Sequence, residues 1–162
     1  MLKKIEEMKG SMAAWHFCFA NPLTNDQKEV VSKSLVTFCE QWTSHGDKVY
    51  SSFIIHSNFV LVIAEQEDSI GGCSKDGLFR TMKDLGARLD MDFFDRMSVP
   101  VEIHGVEKIC SFSEIKTMLQ SGDIKDLKIW DTSLQWIHST KELGYKSPQA
   151  TWFKKYLAIP VE

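Results

Sequence analysis

Lys48-Val-Tyr-Ser-Ser-Phe-Ile-Ile-His-Ser-Asn-Phe-Val-Leu-Val-Ile-Ala-Glu65 is the stretch whose reading decides the fold. Two apolar runs, Lys48 to His56 and Phe59 to Glu65, flank Ser57-Asn58. A gap of two residues leaves no room for a crossover, so the runs must fold back as an antiparallel hairpin. The second run is apolar from Phe59 to Ala64 without alternation. Such a strand has both faces covered and belongs at the centre of a sheet.

Upstream, Ala13 to Ala20 is a short apolar and aromatic run that reads as a first strand, with Met1 to Ser11 as a mobile lead-in or one helical turn. Asn21-Pro22 turns the chain, and Thr24 with Gln27 forms a capping box, each side chain satisfying an exposed backbone donor. The helix that follows places Val31, Leu35, Phe38 and Trp42 on one face, and all four are expected to be buried. His45-Gly46 then reads as the helix stop, with glycine as the left-handed cap. Downstream, Ile70-Gly71-Gly72 lets the chain turn tightly, and Cys73 or Ser74 opens a second helix with the stripe Leu78, Met82, Leu85 and Leu89. Met97 to His104 reads as a fourth strand, although Pro100, which cannot donate to a ladder, suits an edge better than a centre.

The resulting order is β-α-β-β-α-β. It predicts an α+β fold of the ferredoxin-like plait type, an antiparallel sheet with helices on one face, over residues 12–106. Residues 107–162 add an α-rich C-terminal extension. Ser111 and Glu114 cap a helix ending near Gly122, Lys128 to Ile137 reads as a strand, and Ser147-Pro148 opens a last helix carrying Trp152, Tyr156 and Leu157. Without linker composition, the extension is expected to pack on the core, making residues 1–162 a single domain.

The chain has 162 residues, enough for a sizeable core, and a net charge of −3. No basic excess suggests a nucleic-acid partner, and the apolar runs are of strand length, too short to cross a membrane. Met1 to Ser11 lacks the apolar centre of a signal peptide. Cys18, Cys39, Cys73 and Cys110 are dispersed without a Cys-x-x-Cys pair. That spacing predicts a reduced, cytoplasmic chain and no metal site.

Four blocks stand out: Trp42-Thr-Ser-His45-Gly46, Gly72-Cys73-Ser74-Lys75-Asp76, Asp92-Phe93-Phe94-Asp95-Arg96 and the closing Trp152. Together they resemble a family of short bacterial proteins whose members are often labelled ABC transporter ATPases, and the resemblance runs from about Trp15 to Leu157. This chain departs from that pattern at Asn21, Gly71, Lys75 and Phe153. The resemblance implies no catalytic role for any residue. ATP hydrolysis of that class needs Gly-x-x-x-x-Gly-Lys-Ser/Thr, whose backbone amides and lysine cradle the phosphates. The chain contains no such string, and Gly71 to Gly77 is not followed by Lys-Ser/Thr.

Cys73 is the sharpest candidate for chemistry. At the start of a helix the dipole favours a thiolate, and the plait brings the end of the first helix, with His45, to the same sheet edge. A Cys73–His45 pair, with Asp76 orienting the imidazole, is the minimum for a thiol nucleophile. The bland alternative is a small residue in a tight turn beside a helix stop. Asp92, Asp95 and Arg96 could form a ligand site, but two carboxylates are too few for a cation, and the arginine suits a loop-fixing ion pair anchored by Phe93 and Phe94. Trp15, Trp42, Trp130, Trp136 and Trp152 could line a pocket or belong to the core.

Two readings follow. The first is a non-enzymatic module, without cofactor, that binds a small molecule or protein, with homodimerisation among the expected partnerships and Trp42, Ser74, Asp92, Asp95 and Arg96 as binding residues. The second is a small thiol hydrolase or transferase with Cys73 as nucleophile and His45 as base. The exposure of Cys73 separates them.

Overall fold

The central hairpin forms as β4 (Ser51–Ile55) and β5 (Phe59–Glu65), paired antiparallel with Ile55 opposite Val60. The computed structural model describes residues 1–65, 70–122 and 125–157, divided into two units: Met1–Asp95 with Leu134–Glu142, and Arg96–Ser133 with Leu143–Glu162. Each is a mixed α and β unit built on an antiparallel sheet, and the described residues hold three α-helices.

In the first unit, β5 lies between β4 and β1 (Met12–Cys18), and its residues from Phe59 to Ala64 are fully buried. β1 runs antiparallel to β5 in an unbroken register from Met12 opposite Glu65 to Cys18 opposite Phe59. Helices α1 (Asn25–Gln41) and α2 (Gly72–Leu89) join one core, Val31 and Leu35 from α1 meeting Leu78, Met82 and Leu85 from α2 over Phe17, Val60 and Val62 of the sheet. The Thr24–Gln27 capping box is present, Thr24 Oγ1 accepting from Gln27 N–H at 3.2 Å and Gln27 Oε1 from Thr24 N–H at 2.9 Å.

Several expectations change. The deepest positions of α1 are Val31, Leu35 and Cys39, so the buried stripe passes through Cys39 and leaves Phe38 half-buried. α1 ends at Gln41, and His45-Gly46 is not its cap. It is the tip of a small hairpin, β2 (Thr43–Ser44) with β3 (Asp47–Lys48), where both tip residues have positive φ, 53° and 89°, as a tight turn of this kind requires. The first residues hold one helical turn, a 3-10 turn at Ile5–Glu7, but are not a loose lead-in: Leu2 bridges Ser51, Met8 is buried, and Lys3 Nζ lies 2.9 Å from Glu65.

The expected fourth strand lies in the second unit. β6 (Ser98–Ile103) belongs to a sheet of order β10-β8-β6-β7, with β7 (Val106–Ser111), β8 (Leu127–Trp130) and β10 (Tyr145–Lys146). β6 is internal despite Pro100, because pairing with β8 covers only Val101 to Ile103. The strand next to β1 in the first sheet is β9 (Trp136–Ile137), with Met12 opposite Ile137. The 128–137 segment is therefore two strands in two sheets rather than one. Helix α3 (Phe112–Ser121) carries the expected Ser111–Glu114 capping box and ends at Gly122. The closing segment forms short 3-10 turns, Pro148–Ala150 and Trp152–Tyr156, instead of an α-helix.

Candidate functional site

The N-terminus of α2 is bolted to the β2–β3 hairpin. Gly71 N–H donates to Ser44 Oγ at 2.9 Å, Ser74 Oγ–H to the Thr43 carbonyl at 2.7 Å, and Trp42 Nε1–H to the Ser74 carbonyl at 3.1 Å. His45 lies against Gly71 so closely that a Cβ there would stand 2.9 Å from its Nε2. The expected convergence of His45 and the start of α2 is thus present.

Cys73 is the second residue of α2 and is exposed, whereas Cys18 and Cys39 are buried and Cys110 half-buried. Burial, with the negative charge of Asp95 second, pushes the Cys18 thiol up to about 12, and burial raises Cys39 and Cys110 as well. Cys73 opens onto a cleft of about 260 Å³ shared with Phe38, Gln41, Trp42, Thr43 and Ser74. His45 and Asp76 do not line it. Among the described residues no hydrogen bond links His45 to Cys73 or to Asp76. The candidate triad therefore shares one end of α2 without being assembled.

Asp92 and Asp95 shape the loop after α2. Asp92 Oδ1 accepts Phe94 N–H at 2.8 Å, and Asp95 N–H donates to the Cys18 carbonyl at 3.2 Å, tying the loop to the end of β1. Arg96 is exposed and opens the second unit. Among the described residues, no cluster of three or more His, Cys, Asp or Glu side chains could hold a metal ion. Of the tryptophans, Trp42 and Trp130 are core, Trp15 and Trp152 are half-buried, and Trp136 is exposed.

A larger concavity lies at the other end of α2. The chain leaves the helix through Asp90 in the left-handed region, φ 52°, and folds back over Gly86, whose carbonyl accepts Met91 N–H at 2.9 Å. Phe93 is buried, its ring 5.0 Å from that of Phe19. Phe94 is not the second anchor expected of it, being 40% exposed. It stands edge-on to the buried Phe17 at 5.6 Å and stacks on Phe79, 39% exposed, at 6.0 Å. Phe79, Phe93 and Phe94, with Met82, Ala87 and Met91, line a groove of about 750 Å³ rimmed by Arg80, Lys83 and Asp92.

The sequence reading missed Phe79, Arg80 and Lys83. The signal was there: Phe79 is a large apolar residue one position off the Leu78-Met82-Leu85 stripe, on the face a helix turns to water. No protein-family model, curated protein or solved structure matches this chain.

Proposed function

We propose that the chain is a non-enzymatic binding module whose ligand or protein partner occupies the groove formed by α2 and residues 91–94. One observation carries this reading: Phe79 and Phe94 are stacked on each other and stand edge-on to buried Phe17, yet about 40% of each remains open to solvent. Covering apolar surface is worth roughly 25 cal/mol per Å², and contiguous exposed aromatics mark surfaces that another molecule covers. The supporting fold is a variant of the ferredoxin-like plait, in which the order β4-β5-β1-β9 takes its last edge strand from β9, with β6 to β8 inserted before it. This reading keeps the chain beside the short bacterial proteins it resembles and assigns it no ATPase activity. The test is NMR titration with 8-anilino-1-naphthalenesulfonate and, separately, MgATP. The dye should shift amides between Phe79 and Phe94, and Phe79→Ser should abolish those shifts. A dye that leaves these amides unmoved would refute the proposal, as would MgATP turnover.

The exposure of Cys73 above its cleft favours a second reading, a small thiol enzyme with Cys73 as nucleophile and His45 as base. Its support is the hairpin that hydrogen bonds hold against the start of α2. Native alkylation across pH decides it. Fast reaction of Cys73 near neutrality that slows in His45→Ala supports the pair, whereas a rate indifferent to His45 ends it.

A further inference from the structure

We infer that the groove takes an acidic amphipathic segment of a partner protein, with a large apolar side chain seated on Phe79 and Phe94 and carboxylates meeting Arg80 and Lys83. The inference rests on the binding-module reading and narrows its ligand. The apolar floor is continuous: Phe79 and Phe94 stack, Phe17 supports both from below, and half-buried Met91 completes the surface, with Met82 fully buried beneath it. A methionine such as Met91 adapts to irregular apolar side chains, which suits a peptide. Residues Phe79, Lys83 and Ala87 follow one another at helical spacing along an exposed row of α2, a span of about 12 Å. That length matches about two turns of an opposing helix.

The charge on the rim chooses the partner. Arg80 and Lys83 are both exposed, and neither forms an ion pair with any described residue. Asp92 lines the same groove, its Oδ1 accepting Phe94 N–H, and with its charge counted the two cations leave the rim net positive. A pair of cations beside an apolar floor, on a chain of net charge −3, is a local departure from the overall charge. Arginine and lysine at such a rim set orientation and speed encounter with an acidic partner.

The test uses the full chain and two fluorescein-labelled synthetic peptides. One places Leu and Phe on one helical face with Glu on the other; its counterpart has Lys at every Glu position. Fluorescence anisotropy should show the Glu peptide binding at least about tenfold more tightly, a difference of about 1.4 kcal/mol. That preference should reverse in the double variant Arg80→Glu, Lys83→Glu and shrink as salt is raised. Equal affinity of the two peptides, or preference for the Lys peptide, overturns the inference. Self-association that Phe79→Ser abolishes also overturns it, by making a second copy the occupant. If the dye occupies the groove and neither peptide does, the acidic segment is wrong while the module stands. If neither dye nor peptide binds, both fall.

Discussion

Two glycines in one helix should respond to the same substitution with opposite sign. Gly77 and Gly86 both lie inside α2, where replacing glycine by alanine ordinarily gains about 1 kcal/mol of helix propensity. At Gly77 a Cβ would meet only Phe38 Cε2 at 3.7 Å, an ordinary contact, so Gly77→Ala should stabilise by about 0.5–1 kcal/mol. At Gly86 a Cβ would stand 2.6 Å from the Met91 carbonyl oxygen and 3.4 Å from Phe93 Cδ2. The obstacle is backbone, and the same backbone supplies the Met91 N–H that donates to the Gly86 carbonyl at 2.9 Å. Relief requires the loop to lift. Overpacking of this kind costs about 1–3 kcal/mol, and loss of the hydrogen bond adds about 1. Set against the propensity gain, Gly86→Ala should destabilise by about 1–3 kcal/mol. Urea denaturation followed by far-ultraviolet circular dichroism gives the sign, and native-state amide exchange localises it to α2. Lifting the loop also moves Phe94, so Gly86→Ala should weaken dye binding in the groove. If Gly86→Ala proves as stabilising as Gly77→Ala, the tight approach of residues 91–94 to α2, and the groove built on it, are wrong.

Other substitutions test separate parts of the first unit. Phe93→Ala should cost about 3–5 kcal/mol, since its ring is 1% exposed and packs on Phe19, whereas Phe94→Ala should cost less than about 1 in the same denaturation series. Lys3→Met leaves the nearly buried Glu65 carboxylate, among the described residues, with only the Lys9 N–H at 2.9 Å, so it should cost about 1–3 kcal/mol. Glu65→Gln in that background should recover part of the loss, and failure to do so would show that the ion pair is not what ties the N-terminal segment down. The Cys18 thiol is raised from about 9.0 to about 12, so the folded state holds its proton where the unfolded state has released it. Stability should therefore be intact below pH 9.0 and fall as pH rises toward 12, by at most about 1.4 kcal/mol per unit from this group. Cys18→Ala should flatten that slope between pH 9 and 10.5, and an unchanged slope would place the alkaline sensitivity elsewhere.

What could be read from the sequence was local. The central hairpin was legible because its two-residue gap and unbroken apolar run leave one geometry. Both capping boxes were legible because a side chain meets a backbone donor three residues away. Strand membership was not. β6 follows α2 in the chain, as a plait's fourth strand would, but apolar pattern does not say which sheet a strand joins. β9 has only two residues, too few to carry a period, and its place is set by pairing to a strand more than a hundred residues upstream, as Ile137 opposite Met12 shows. The His45 and Cys73 neighbourhoods were legible as one end of the unit because topology alone brings them together, while the missing hydrogen bond between them depends on side-chain direction. The most informative errors concern aromatics. Phe94 reads as an anchor because it is large and apolar, and Phe79 lies outside the Leu78, Met82, Leu85 and Leu89 stripe and draws no reading, yet both stand about 40% in water. Burying Phe79 would require α2 to rotate, but Leu78, Met82 and Leu85 already hold its phase with almost no exposure. The core is therefore satisfied without these two rings. A stacked aromatic pair the core does not need, beside two cations that form no ion pair among the described residues, runs against the local rules a stable fold follows, and such departures concentrate where a protein meets its partner.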